Sequence, residues 1–179
     1  LYTDRTLVKH LAMRRTLWVV RPQDLPSVQS AASDRVAANE RRRLVADAEA
    51  AGVAADGESW LETAATAVLG HLRRNGACTA KQLREALPEL TGRYDPAPGK
   101  TWGGTSTLAP RVWTLLSARG AIVRWPNDGG WTTSRPGWVR AGAWLAATPA
   151  GAPETARADL VCRWLYAFGP ATVTDIKWW

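Results

Sequence analysis

The sequence predicts a mainly α fold with small β-hairpins, an α+β protein, and three observations carry that prediction. A helix, tight turn, helix unit occurs twice, 93 positions apart: Gly76 aligns with Gly169, Thr79 with Thr172 and Leu83 with Ile176, while Val68 and Leu72 of the preceding helix align with Val161 and Leu165. The first copy is followed by a third amphipathic stretch and then by two β-prone runs around the polar turn "NDGG". Three helices closed by a hairpin is the order of a winged helix, a variant of the helix-turn-helix. Repetition of its first half makes the modules tandem. The three divisions are residues 1–57, 58–150 and 151–179.

Residues 1–57 read as the end of a first module followed by connecting helices. "LVKHLAMRRTLWVV", 7–20, contains two β-prone runs around the turn Arg14-Arg15-Thr16, so Arg14 and Arg15 at the tip would face phosphate. Asp24 is placed to cap a short helix. "SDRVAANERRRLVADAEAAG" then reads as a longer helix capped by Ser33 and closed at Gly52. Its acidic residues Asp34, Glu40, Asp47 and Glu49 are spread around the axis, as solvation requires. Arg41, Arg42 and Arg43 point in three directions and form no single contact surface.

Residues 58–150 read as a complete module. From Ser59, a capping residue, Leu61, Ala64, Ala65, Val68 and Leu72 recur at helical spacing up to Gly76. Thr79 caps a short second helix carrying Leu83, Ala86 and Leu87, with Gln82 at its third position, and Pro88 stops it. "PELTGRYDPAPGKTWGGTS" is a loop, rich in Pro and Gly. Ser106 or Thr107 caps the third helix, Pro110 is acceptable in its first turn, and Gly120 follows Arg119 at its end. Leu108, Val112, Leu115 and Leu116 form its buried stripe, whereas Thr107, Arg111, Thr114 and Ala118 share a small, polar, basic face. "AIVRWP", "NDGG" and "WTTSRPGWV" make the closing hairpin, whose turn residues tolerate positive φ. Residues 151–179 repeat the opening of this module, with Thr172 and Asp175 as the cap pair, and stop where the first copy continues, which reads as chain cut short.

Charge says what such modules would meet. The chain carries +7 net, and residues 58–150 hold eleven Lys/Arg against six Asp/Glu, supplying five of those seven charges. A surplus concentrated in one module suggests a polyanion, with double-stranded DNA first. Arg111 would approach base edges in the major groove, where a guanidinium donates two hydrogen bonds to guanine, and Thr107 and Thr114 would flank it. Arg93, Lys100, Arg124, Arg135 and the turn at Asn127 would touch backbone, which sets affinity and register. Arg124 has an alternative partner in Asp128. Most of the eleven tryptophans read as buried aromatics, including Trp60, Trp113, Trp125, Trp131 and Trp164; Trp102, in the Gly-rich loop, is the one suited to stacking on a base.

Several classes are excluded. No apolar run reaches the ~18 residues of a membrane helix, and the start lacks a signal-peptide pattern. Cys78 and Cys162 read as ordinary reduced thiols beside or inside helices, without the spacing of a metal site, so no cofactor or metal is implied and a cytoplasmic, nucleoid-associated protein is expected. His10 and His71 are the only histidines, and neither HExxH nor GxSxG is present. "GKTWGGTS" lacks the spacing of a phosphate-binding loop.

Three stretches, "DRTLVKHLAMRRTLWVVRPQDL", "NDGGWTTSRPGWVRAGAWL" and above all "RWLYAFGPATVTDIKWW", resemble the bacterial winged-helix DNA-binding family that includes the AlkZ and YcaQ alkylpurine and crosslink DNA glycosylases. The resemblance covers nearly the whole chain and implies tandem winged helices around a DNA-sized concave surface, the last continuing beyond Trp179. It also implies a Gln-x-Gln pair that positions water, located upstream of the segment matching Leu7 to Val20. The glutamines here, Gln23, Gln29 and Gln82, do not form that pattern, so no catalytic residue is assigned. The expected function is surveillance or base-excision repair of duplex DNA. A winged-helix transcription regulator and a non-catalytic interaction scaffold are the alternatives.

Overall fold

The computed structural model of the chain describes residues 4–101, 103–129, 132, 135–145 and 153–178. Trp102, Trp131, Trp179 and part of the second hairpin's return run lie outside the described residues. The fold is α+β, helices with three small antiparallel sheets among the described residues.

The first hairpin pairs β1 (Val8–Leu11) with β2 (Leu17–Val20), Val8 opposite Val20 and Leu11 opposite Leu17. Its tip is a tight turn in which Arg14 and Arg15 both take positive φ, 56° and 59°, a backbone that side chains other than Asn, Asp and Gly adopt seldom. Thr16 anchors it, its hydroxyl donating to Met13 O at 2.8 Å. β1 faces inward with Val8, His10 and Leu11 buried, while β2 leaves Leu17 and Val19 exposed.

Next come α1 (Leu25–Val28) and α2 (Asp34–Ala50), joined through a π turn at Gln29–Ser33 in unbroken helical backbone. Neither expected cap operates here. Ser33 has no free helix end to cap, because the chain passes through it in helical conformation; it is buried, its Oγ 2.9 Å from His10 Nε2. Asp24 instead pairs with Arg21 at 2.7 Å and with Arg163 at 2.5 Å. Gly52 closes α2 at φ +65°, as its position predicts. The acidic residues of α2 are not uniformly solvated, since Glu40 is buried. The three successive arginines do part company: Arg41 pairs with Glu58 and Glu62, Arg42 donates to Asn39, and Arg43 approaches Glu40.

α3 (Gly57–Asn75) is capped by Asp56, three residues before the expected cap at Ser59, with the Asp56 carboxylate accepting from the Ser59 N–H at 2.9 Å. Gly57 permits its close approach to α2, where a Cβ would come within 2.6 Å of Val45 O. Leu61, Ala64, Ala65, Val68 and Leu72 form its buried stripe. Gly76 follows with φ +74°, then β3 (Cys78–Thr79) and α4 (Ala80–Ala86). Thr79 and Gln82 form a reciprocal capping box.

Ser106 and Thr107 cap nothing. They form β5 (Ser106–Thr107), paired with β4 (Arg93–Tyr94), which closes the base of the loop between them. α5 (Ala109–Ala118) begins after Leu108 with Pro110 in its first turn. Its stripe is buried as expected, and so are Trp113 and Ala118, so the face assigned to Thr107, Arg111, Thr114 and Ala118 does not lie open along its length. β6 (Ile122–Asn127) and β7 (Pro136–Arg140) form the second hairpin, and β3 adds to the far side of β7, giving the order β3-β7-β6. α6 (Ala141–Trp144) follows, and later α7 (Pro153–Phe168) and α8 (Val173–Trp178). The second cap pair forms as the repeat predicts, with the Thr172 and Asp175 N–H groups bonded to each other's side chains at 2.8 and 3.2 Å. Both cysteines are free thiols, Cys78 buried and Cys162 exposed on α7.

One apolar cluster joins Leu11 of the first hairpin and Leu44 and Ala48 of α2 to the interior faces of α3, α4 and α5. A smaller one joins Val8 and Leu25 to Val123, Val139 and Trp144. Burying a side chain of this size contributes roughly 1.5–3 kcal/mol, so hairpins and helices are held in fixed relation by shared interior rather than by surface pairs.

Candidate nucleic-acid interface

Where α4, α5 and the second hairpin meet, they enclose a cleft of about 700 Å³. α4 turns Lys81 and Arg84, one helical turn apart, toward it; α5 contributes Pro110 and Thr114 over the buried Trp113 ring. The hairpin adds Arg124, Arg135 and Asp128. Among the described lining residues, four cationic side chains thus face one carboxylate. The Arg124 guanidinium lies 4.4 Å from the Trp138 ring centroid, where the face of the ring favours a cation and holds the side chain along the wall. Lys81 approaches Glu85 at 3.8 Å with both well exposed, a pairing worth little in water.

Three sequence-predicted residues, Thr114, Arg124 and Arg135, are brought together here. Others are placed elsewhere. Asn127 is exposed in an adjoining groove of about 540 Å³, lined with Gln82 and Pro126 and sharing Lys81 and Asp128 with the first cleft. Arg93 is exposed directly across the β4–β5 ladder from half-buried Thr107. Lys100 is exposed in a turn closed by its own N–H to Ala97 O at 3.1 Å. Arg14 stacks its guanidinium 3.9 Å from the Trp178 ring centroid and donates to Trp178 O. Arg15 and Arg111 line a different cleft, of about 530 Å³, with Thr114 and Pro110 common to both. Trp102 lies outside the described residues.

Arg111 is therefore not directed at open solvent. It pairs with Asp47 of α2 and lies 5.5 Å from the Tyr94 ring centroid. Burial draws its pKa below the ordinary value; Glu40 counteracts this, whereas Arg15 and Arg43 add to it. Tyr94 is shifted upward, first by burial and then by Glu40. Sequence reasoning missed Lys81 and Arg84, although their i, i+3 spacing on the short helix puts both on one face beside the buried Leu83. It also missed Glu40 and Asp47 as counter-ions, for which no local pattern exists.

A family profile described as DNA glycosylase AlkZ-like matches residues 1–179. The chain belongs to the AlkZ-like DNA glycosylase family. Among solved structures it is similar to the Streptomyces sahachiroi DNA glycosylase AlkZ, with a TM-score of 0.53 and 22% identity over 94% of this chain and 42% of that one. That likeness shows a shared fold, and the chain spans less than half of the AlkZ length. No curated protein matches the sequence. Among the described residues, no helix is long and apolar enough to cross a membrane, and no group of His, Cys, Asp and Glu is arranged to hold a metal ion.

Proposed function

We propose that this chain grips duplex DNA as a tandem winged-helix segment of a bacterial base-excision glycosylase of the AlkZ type, acting on chromosomal DNA in the cytoplasm. The observation that carries the reading is the cleft between α4, α5 and the second hairpin, with Lys81, Arg84, Arg124 and Arg135 on its walls and Asp128 the one carboxylate among its described lining residues. Such a cleft attracts a phosphate backbone, releasing counterions as it binds. In this reading residues 58–150 are the complete module, residues 1–57 end a preceding one and residues 151–179 begin a following one. Lys81, Arg84 and Arg135 hold phosphates, and Arg93, Lys100 and Asn127 extend the backbone track. Thr114, at the junction of the two clefts, is the polar side chain of α5 best placed to approach a base edge.

Base release is assigned to residues outside this chain. Gln29 donates to Asp34 and to Ala118 O at 2.6 and 2.9 Å, and the Gln82 side-chain oxygen accepts from the Thr79 N–H and hydroxyl, so both serve structural partners. Family membership favours the glycosylase over a transcription regulator.

The test is affinity for undamaged, alkylated and crosslinked duplexes across a salt series. Each phosphate contact contributes a slope of about −0.9 to log K against log salt. The double variant Lys81→Ala, Arg84→Ala should flatten that slope by roughly two contacts, and an unaltered slope would remove the cleft from the interface. A marked preference for one undamaged sequence would favour the regulator, and a flat profile in the parent the scaffold.

A further inference from the structure

On the other side of the α5 amino-terminal half, the second cleft gathers three guanidinium groups from three elements: Arg15 from the first hairpin, Arg43 from α2 and Arg111 from α5. Two carboxylates of α2, Glu40 and Asp47, lie among them. The two are not equivalent. The Glu40 side chain is 5% exposed and sits between Arg15 at 3.1 Å and Arg43 at 3.9 Å, so it is a fixed counter-charge that keeps both arginines at the rim. Asp47 is 40% exposed, and its partner Arg111 is 17% exposed. The arginine is therefore fixed and the aspartate exchangeable.

We infer that this cleft is a second phosphodiester site, in which Asp47 occupies Arg111 in place of a backbone phosphate until nucleic acid displaces it. The inference rests on the reading of the chain as a duplex-DNA binder. A phosphate offers the planar guanidinium the same paired oxygen acceptors as a carboxylate. It also gains Arg15 and Arg43, which Asp47 does not engage. The displaced carboxylate, already 40% exposed, rotates into water and recovers hydration. Because Pro110 and Thr114 line both clefts, one backbone can pass from the Lys81 side of α5 to the Arg111 side.

Asp47 then sets affinity without touching DNA. Releasing it lets a cation from solution return to the freed carboxylate, which cancels the counterion release at Arg111. Asp47→Asn should bind undamaged duplex about three- to ten-fold more tightly at low salt and steepen the salt slope by about 0.9. Adding Arg111→Ala should abolish both gains. Arg111→Ala by itself, with thermal unfolding as the check on folding, should weaken binding. The inference is overturned if Asp47→Asn leaves affinity and slope at parental values or lowers them, or if the gain survives in the double variant. Failure of the first cleft reads differently: the Lys81, Arg84 variant would keep the parental slope while Asp47→Asn still steepens it. No duplex binding by the parent at any salt would overturn both.

Discussion

His10 shows how one side chain acquires its chemistry from burial. It lies on the inner face of β1 with its Nε2 2.9 Å from the Ser33 hydroxyl in the π turn. Burial lowers its pKa from 6.5 to about 4, against smaller opposing effects from a Gln29 hydrogen bond and the Asp34 charge. Between those two values the unfolded chain binds a proton that the folded chain refuses. This contribution is therefore fully present above pH 6.5 and declines as pH falls toward 4, amounting in all to about 3 kcal/mol. Urea unfolding at about pH 7 and about pH 4.5 checks it: the fall in stability should shrink in His10→Gln, and an equal fall in parent and variant would assign the loss to other groups. The sequence shows a histidine in an apolar strand, but not the helical turn that covers it.

At the scale of elements, two caps were legible from a three-residue spacing, whereas the cap of α3, expected at Ser59, is made by Asp56. Thr79 with Gln82 and Thr172 with Asp175 are read from a three-residue spacing and form as read. The Thr172 hydroxyl and N–H hold the Asp175 carboxyl below its ordinary pKa. Thr79→Ala should cost about 1 kcal/mol in denaturant unfolding. Because α4 carries Lys81 and Arg84, it should also weaken duplex binding more than the exposed control Thr63→Ala. Equal affinities in the two variants would separate the cap from the interface. Ser33, Ser106 and Thr107 misled because a capping residue type is only a local invitation. The π turn continued the helix past Ser33, and pairing with Arg93 and Tyr94 drew Ser106 and Thr107 into a strand.

The whole molecule is organised around α2. Its buried Leu44 and Ala48 belong to the same apolar cluster as Leu11 and the α3, α4 and α5 stripes, and Arg41 ties it to α3 through Glu58 and Glu62. The first hairpin and the helices that follow should therefore unfold together. Leu44→Ala, at a fully buried position, should lose about 2–5 kcal/mol in one transition seen alike by tryptophan fluorescence and far-ultraviolet circular dichroism. Two separated transitions would show that the parts on either side of α2 are held less tightly than their common interior implies.

What the sequence determined by itself is what depends on neighbours along the chain: the buried stripes of α3 and α5, two of the helix caps, two hairpins, and a basic surplus pointing to a polyanion. These follow from spacings of two, three and four residues, over which side chains share a face or reach the same backbone amide. Tertiary structure alone decided which charges remain available. Arg111 and Asp47 are 64 positions apart, and nothing in either neighbourhood encodes their meeting. Lys81 and Arg84 face Arg124 and Arg135 only because α4 packs beside the second hairpin. Helix faces are local geometry, whereas a binding surface is the placement of distant faces against each other, which the shared core sets.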